Sequence, residues 1–483
     1  MNYRMVMRIT GRIVGLEALL MLIPAFVASY YDESIKGFMV SILIASIISV
    51  TLMLISKKGS KTLYSKEGFV SVGLSWILIS LLGAIPFTIE GEIPNYIDAL
   101  FETISGLTTT GASILTDIES MSKGLLFWRS FTHWIGGMGI LVLMMALAPT
   151  SEGYSMHLIR AEVPGPTAGK LVPKMQNSSI ILYIIYFALT VIEIILLLAG
   201  GMSLYDSLVH SFGTAGTGGF SNYSASIGHY DNLYFDIVIS VFMVLFGVNF
   251  NVYFFLLIRR FKEVLHSEDL WLYLGVISFA TLTIAMNISK LYDGFLNALR
   301  YSFFQVSSII STTGFSTADF DKWPEYSRII LVMLMFMGGC AGSTAGGMKM
   351  SRIIILMRAV RSEFKHLLRP RSFNNITCNG EIINKSILRS TLVYFFLYLV
   401  IILFASIILS FENFDLVTTV TSVITCMTNV GPGLGLVGPT GGFSMYSSLS
   451  KIILSACMLF GRLDIFPVLL LFSPYTWRRA SKF

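Results

Sequence analysis

The segment Ser311-Thr312-Thr313-Gly314-Phe315-Ser316 stands between two apolar runs, near 270–288 and 327–357. Each run is long enough to cross a bilayer, since about 20 apolar residues in helix span a hydrocarbon core roughly 30 Å thick. The stretch between them that ends at Gly314 is too short to cross as helix and return, which predicts a re-entrant segment. Irregular backbone survives at membrane depth only inside protein or beside water. The pattern recurs three more times. Thr109-Thr110-Gly111-Ala112-Ser113 lies between runs near 69–89 and 122–148, and Thr217-Gly218-Gly219-Phe220-Ser221 between runs near 178–200 and 232–258. Asn429-Val430-Gly431-Pro432-Gly433 lies between runs near 386–410 and 447–472. In register, Gly111, Gly219, Gly314 and Gly431 form one column, and Thr109, Thr217, Thr312 and Asn429 stand two positions before it.

Composition agrees with that constraint. Of the 483 residues, 54% are hydrophobic and only 13% charged, against about 25% charged in a soluble globular chain. The expected fold is an all-α polytopic membrane protein. It has four span–pore-helix–span repeats around one pseudo-fourfold pore, plus two amino-terminal helices. The expected boundaries are 1–67 for the amino-terminal pair, then 68–176, 177–268, 269–384 and 385–483 for the repeats. Arg4, Arg8 and Arg12 precede the first apolar run with no small-residue cleavage site after it, which predicts an uncleaved first span. Cys340, Cys378, Cys426 and Cys457 have no metal-ligand spacing and read as packing residues.

The net charge of +6 follows topology rather than nucleic acid, because the basic residues gather at predicted helix ends. Lys57, Lys66, Arg259, Arg260, Lys262 and the group Arg352, Arg358, Arg361, Lys365, Arg369 and Arg371 fall on one side. Asp98, Asp117, Glu119, Asp206, Asp231, Asp293, Asp319, Asp321 and Asp415 fall on the other. The positive-inside rule then places both termini in the cytoplasm and the glycine segments toward the outside.

A cation that leaves water needs replacement oxygens. Consecutive backbone carbonyls supply them when the chain adopts dihedrals that glycine allows without a Cβ clash. Four such segments on one axis predict a cation filter made of Thr109, Thr110, Gly111, Thr217, Gly218, Gly219, Thr312, Thr313, Gly314, Asn429, Val430 and Gly431. The short helices before the glycines would aim their carboxyl ends, and the negative end of the macrodipole, at the ion. Small residues at Thr108, Gly216, Ser311 and Thr428 would let them approach closely. A single Thr-Thr-Gly in a membrane protein means little; four in register between matching spans mean much more.

Two features suggest a gate. Gly338, Gly339, Gly342, Ser343, Thr344, Gly346 and Gly347 belong to a stretch in which only Cys340 is not Gly, Ala, Ser or Thr. Each glycine weakens a helix by up to about 1 kcal/mol relative to alanine, so the span is expected to unwind there beside a cavity. Tight helix packing through GxxxG spacing is the competing account. A phosphate-binding loop is excluded by the lack of GxxxxGK[ST]. Arg462 lies within the last apolar run, where an arginine costs about 2.5 kcal/mol or more unless paired or solvated. It lies 31 residues past Gly431, as Ala345 lies 31 past Gly314. Superposed copies would therefore set its guanidinium against the small-residue loop as a barrier to cations. A structural pair with Asp464 or with carbonyls is the alternative. Lys349 is a lesser candidate for the same part. His133, Glu17 and Glu193 also lie in apolar runs, unpaired in sequence, and are expected to be satisfied structural groups.

The chain resembles the Trk/Ktr/HKT superfamily of potassium transporters over essentially its whole length. The extra amino-terminal pair and the sequence Ala161-Glu162-Val163-Pro164-Gly165-Pro166 resemble the bacterial TrkH-type membrane subunit. The resemblance implies potassium as the transported ion, with glycine at 111 where serine goes with sodium preference, and no covalent or organic cofactor. It also implies the bacterial inner membrane, symport or channel-like transport, a homodimer, and a cytosolic TrkA-type nucleotide-binding regulatory ring. It further implies a gating role for residues 338–347. Gly218, Val430 and Pro432 depart from Thr-Thr-Gly-Phe, which favours one dominant ion ring over several equal ones. A membrane-embedded enzyme is the rival class, without HExxH, GxSxG or a Cys-His pairing to support it. A non-conducting sensor is the other.

Overall fold

A computed structural model describes residues 1–57, 65–139, 175–369, 376–379 and 381–477. Arg371, the segment Ala161–Pro166 and the part of the run near 122–148 that follows Gly139 lie outside the described residues. The described residues are helical, with one small antiparallel pair among them, Thr377–Cys378 with Glu381–Ile382. The first span, Tyr3–Tyr30, comprises α1 (Tyr3–Leu20) and α2 (Leu22–Tyr30), and α3 (Lys36–Ser56) packs against it.

Four long helices follow at intervals: α4 (Ser65–Ile89), α7 (Met175–Ala199), α12 (Glu268–Ile288) and α16 (Lys385–Leu409). Their two faces are both apolar but differ in environment. Along α16, Tyr394, Tyr398, Ile402 and Ala405 are buried at helical spacing, while Phe396, Leu403 and Phe404 on the other side are exposed. A helix apolar all round with one bare face is suited to lipid.

Each long helix leads into a short one: α5 (Tyr96–Leu107), α8 (Leu204–Gly216), α13 (Phe295–Ile310) and α17 (Leu416–Thr428). Side chains start three of them. Asn95 accepts from the Ile97 N–H, Ser203 from Asp206 and Asp415 from Thr418, filling donors that a helix start leaves open. One device ends all four. The N–H of Thr110, Gly218, Thr313 and Val430 donates to the carbonyl five residues back, on Ser105, Gly213, Ser308 and Thr425, at 2.8–3.0 Å. This is the Schellman bond, and it turns the preceding residue left-handed: Thr109, Thr217, Thr312 and Asn429 have φ of 56°, 56°, 59° and 57°.

The returning helices differ from the sequence expectation. Continuous runs were expected near 232–258, 327–357 and 447–472, with unwinding only in the second of these. All three are interrupted. The second copy breaks at Gly247–Asn249, where α9 (Leu233–Phe246) and α10 (Phe250–Leu257) meet at 91°, with the short α11 (Phe261–Leu265) following. In the third, α14 (Glu325–Met337) and α15 (Met350–Leu368) are separated by residues 338–349. In the fourth, α18 (Ser448–Arg462) and α19 (Phe466–Phe472) are separated by Leu463–Ile465, with Asp464 and Ile465 at φ 63° and 60°. In the first copy α6 (Lys123–Gly137) ends inside the expected run. The backbone groups freed at these breaks find protein partners. Cys340 N–H donates to Gly247 O at 2.9 Å, Met350 N–H to Gly339 O at 3.0 Å and Ile465 N–H to Phe460 O at 3.1 Å.

Candidate functional site

The carboxyl ends of α5, α8, α13 and α17 bring the four glycine segments to one place. After the left-handed Thr or Asn comes one residue of ordinary hand, then a glycine at φ 80°, 74°, 84° or 99° for Gly111, Gly219, Gly314 and Gly431. Alternating hands turn successive carbonyls toward one side. A methyl group on Gly111 would collide with the carbonyl oxygen of Gly218, and one on Gly219 with that of Thr313. On Gly314 it would meet Val430 O, and on Gly431 Thr110 O at 2.7 Å. The contacts run from first copy to second, third, fourth and back to first: a closed ring. Thr109, Thr110, Thr217, Thr312, Thr313, Asn429 and Val430 are fully buried around it.

Beneath the ring lies the stretch 338–349, as non-helical backbone. Gly346 N–H donates to Thr312 Oγ1 at 2.6 Å, and Gly347 N–H to Thr428 O at 2.9 Å. Gly338, Gly342 and Gly347 have φ of 68°, 75° and 72°. The path is held on its far side by Thr344 Oγ1 to Phe246 O, 3.1 Å, and by Phe250 N–H to Gly342 O, 3.0 Å. Gly339 packs against Ala345, and the Ser343 hydroxyl donates to Cys340 O at 2.6 Å. Lys349 is buried, with its ammonium donating to Ala345 O.

Arg462 meets this loop, as its register with Ala345 suggested. Its guanidinium donates to Thr344 O at 2.8 Å, Thr109 Oγ1 at 3.2 Å, Gly136 O at 2.6 Å and Gly137 O at 2.5 Å. One side chain thus joins the first glycine segment, the end of α6 and the loop. The carbonyl contacts of the alternative account are present as well. Asp464 makes a two-pronged pair with Arg352, at 2.8 and 2.7 Å. The hydroxyls at the inner end of the ring are engaged by protein: Thr109 Oγ1 and Thr312 Oγ1 accept from Arg462 and Gly346, and Thr217 donates to Gly216 O.

Three buried side chains at this site were missed or underrated in the sequence. His133 bridges copies: its Nδ1 lies 2.7 Å from Gly106 O, and its Nε2 accepts the Phe220 N–H at 3.2 Å. A neutral ring with the proton on Nδ1 satisfies both bonds. Arg129 and Glu102 form a buried ion pair at 2.5 Å. Arg129 lies inside an apolar run, so the rule that singled out Arg462 would have found it too. Glu17 and Glu193 depart from the expectation of satisfied groups. Both Glu17 carboxyl oxygens are buried with no hydrogen bond among the described residues, and the Glu193 carboxyl lies beside Thr214 outside hydrogen-bonding geometry. A burial without a partner leaves no trace in sequence.

A family model described as TrkH, cation transport protein, matches residues 34–297 and 271–478. The Trk system potassium uptake protein TrkH of Salmonella typhimurium is 35% identical over 99% of this chain and 100% of that protein. Its Escherichia coli counterpart is 36% identical over the same shares. The Trk system potassium uptake protein TrkG of Escherichia coli is 33% identical, covering 99% of each. The crystal structure of the potassium transporter TrkH from Vibrio parahaemolyticus aligns with a TM-score of 0.88 at 30% identity, over 99% of this chain and 100% of that one.

Proposed function

The chain belongs to the TrkH family of cation transport proteins, and from that premise we propose that it carries potassium across the cytoplasmic membrane through the glycine ring. Transport rather than catalysis is the family's activity. The closed ring of contacts from Gly111 through Gly219, Gly314 and Gly431 is the observation that carries this reading. Carbonyls of Thr110, Gly218, Thr313 and Val430 replace the hydration shell of the ion, and the carboxyl ends of four short helices add partial negative charge. Since the four copies differ in sequence, one ring dominates binding.

The loop 338–349 and Arg462 close the inner side. Gly346, Gly347 and Thr344 tie the loop to Thr312, Thr428 and Arg462. Hydrogen bonds worth about 0.5–1.5 kcal/mol each, more where charged, hold it firmly enough to close and weakly enough to release. Withdrawal of the loop frees the inner hydroxyls for the ion and moves the guanidinium aside. The basic helix α15, with Arg358, Arg361 and Lys365 and with Arg369 just after its end, serves as the cytoplasmic face on which a TrkA-type nucleotide-binding ring docks. Two copies of the chain form the membrane unit, with both termini in the cytoplasm.

Reconstituted vesicles test the proposal. Rubidium or potassium flux well above sodium flux is the expected result, in the absence of any substrate for chemistry. No flux with or without a regulatory partner would favour a sensor. Cys340 reports on the gate, because it is fully buried in the loop. With Cys378, Cys426 and Cys457 replaced by alanine, a small thiol reagent should label Cys340 in proportion to flux. Constant labelling under conditions that switch flux would exclude movement of this loop.

A further inference from the structure

We propose that Glu102 and Arg129 are a positioning pair that sets the width of the filter between its first and second segments. The inference rests on the filter reading above and adds a specificity-determining element to it. The Glu102 carboxylate, on α5, accepts the Ser113 hydroxyl at 2.9 Å and the Ile114 N–H at 3.0 Å. Both donors belong to the chain leaving Gly111. It also accepts Arg129 Nε at 2.5 Å. The same guanidinium donates from Nη1 to Ser221 O at 2.9 Å and lies over the Phe220 ring, 3.6 Å from its centre. Phe220 and Ser221 are the chain leaving Gly219. One continuous line of charged hydrogen bonds therefore runs from the outer limb of the first segment to that of the second.

The other copies are backed differently. Glu102 lies nine residues before its glycine, and the same register holds His210, Gln305 and Ser422. All four are buried. His210 Nε2 lies 3.1 Å from Ser221 Oγ, and Ser422 Oγ lies 2.7 Å from the Tyr446 hydroxyl. Neither amide atom of Gln305 has a hydrogen bond among the described residues. Behind the filter, only the first position holds a carboxylate. A buried charge pair is a costly way to gain stability and a good way to enforce one geometry. Arginine suits the task because its planar fork reaches two acceptors and an aromatic face at once.

The readout is the ratio of potassium to sodium flux in vesicles, which a merely structural role would leave alone while total flux fell. Arg129→Gln should lower that ratio by about tenfold, in the range of coupling seen within buried networks. Arg129→Lys keeps the charge beside Glu102 but loses the fork to Ser221, so it should lower the ratio as well. Should the glutamine variant fail to purify as a single species, the lysine variant decides on the same terms. A folded variant with the unaltered ratio overturns the proposal. Gly314→Ser in the same vesicles separates the two levels. If it alters the ratio and the Arg129 variants do not, the brace fails and the filter stands; if none alters it, the filter reading itself fails.

Discussion

Gly314→Ser should cut the preference for potassium over sodium by about tenfold or more, the equivalent of at least ~1.4 kcal/mol between the two ions. Two effects add. The φ of 84° lies where an L side chain costs roughly 1–2 kcal/mol. The new Cβ would also overlap Val430 O and come within 2.8 Å of the Pro432 ring. Val430 O is one of the carbonyls assigned to the ion, so the clash is relieved by moving a ligand. Gly111, Gly219 and Gly431 face the same conflict with Gly218, Thr313 and Thr110. Sodium flux measured beside potassium flux in the same vesicles checks the effect, and an unaltered ratio would remove Gly314 from the filter.

Arg462→Ala should raise basal potassium flux by about a hundredfold. At roughly 6 Å and an effective dielectric constant near 20, a unit charge opposes a cation by about 3 kcal/mol. The substitution also leaves the carbonyls of Gly136, Gly137 and Thr344 without this donor, which makes the space beneath the ring more negative. Arg462→Lys should lie between, since it keeps the charge but not the fork that holds Thr109 and Thr344 together. Equal flux in wild-type and alanine proteins, at matched protein per vesicle, would take the arginine out of the mechanism.

Periodicity carried much of the site into the sequence. Thr109, Thr217, Thr312 and Asn429 recur two residues before a glycine because four helices end by the same left-handed turn, and such a turn restricts residue choice locally. The equal distance from Gly431 to Arg462 and from Gly314 to Ala345 located a contact for the same reason. The interruptions at Gly247–Asn249 and Leu463–Ile465 went unread. Each needs only two or three residues, and the broken ends stay apolar, so hydropathy shows one run. Arg129, Glu102 and His133 were legible as polar groups in apolar surroundings, but their partners sit on other elements.

By itself the sequence determined that the chain is helical and membrane-spanning, and where four short helices must stop, since these follow from composition, run length and backbone freedom at single residues. Only the tertiary structure decided that Gly111, Gly219, Gly314 and Gly431 close one ring, that Arg462 joins the first segment to the loop of the third copy, and that one buried ion pair ties the first segment to the second. Such pairings depend on the distance between residues far apart in the chain. No local pattern encodes that distance; it is set by how all the spans pack together.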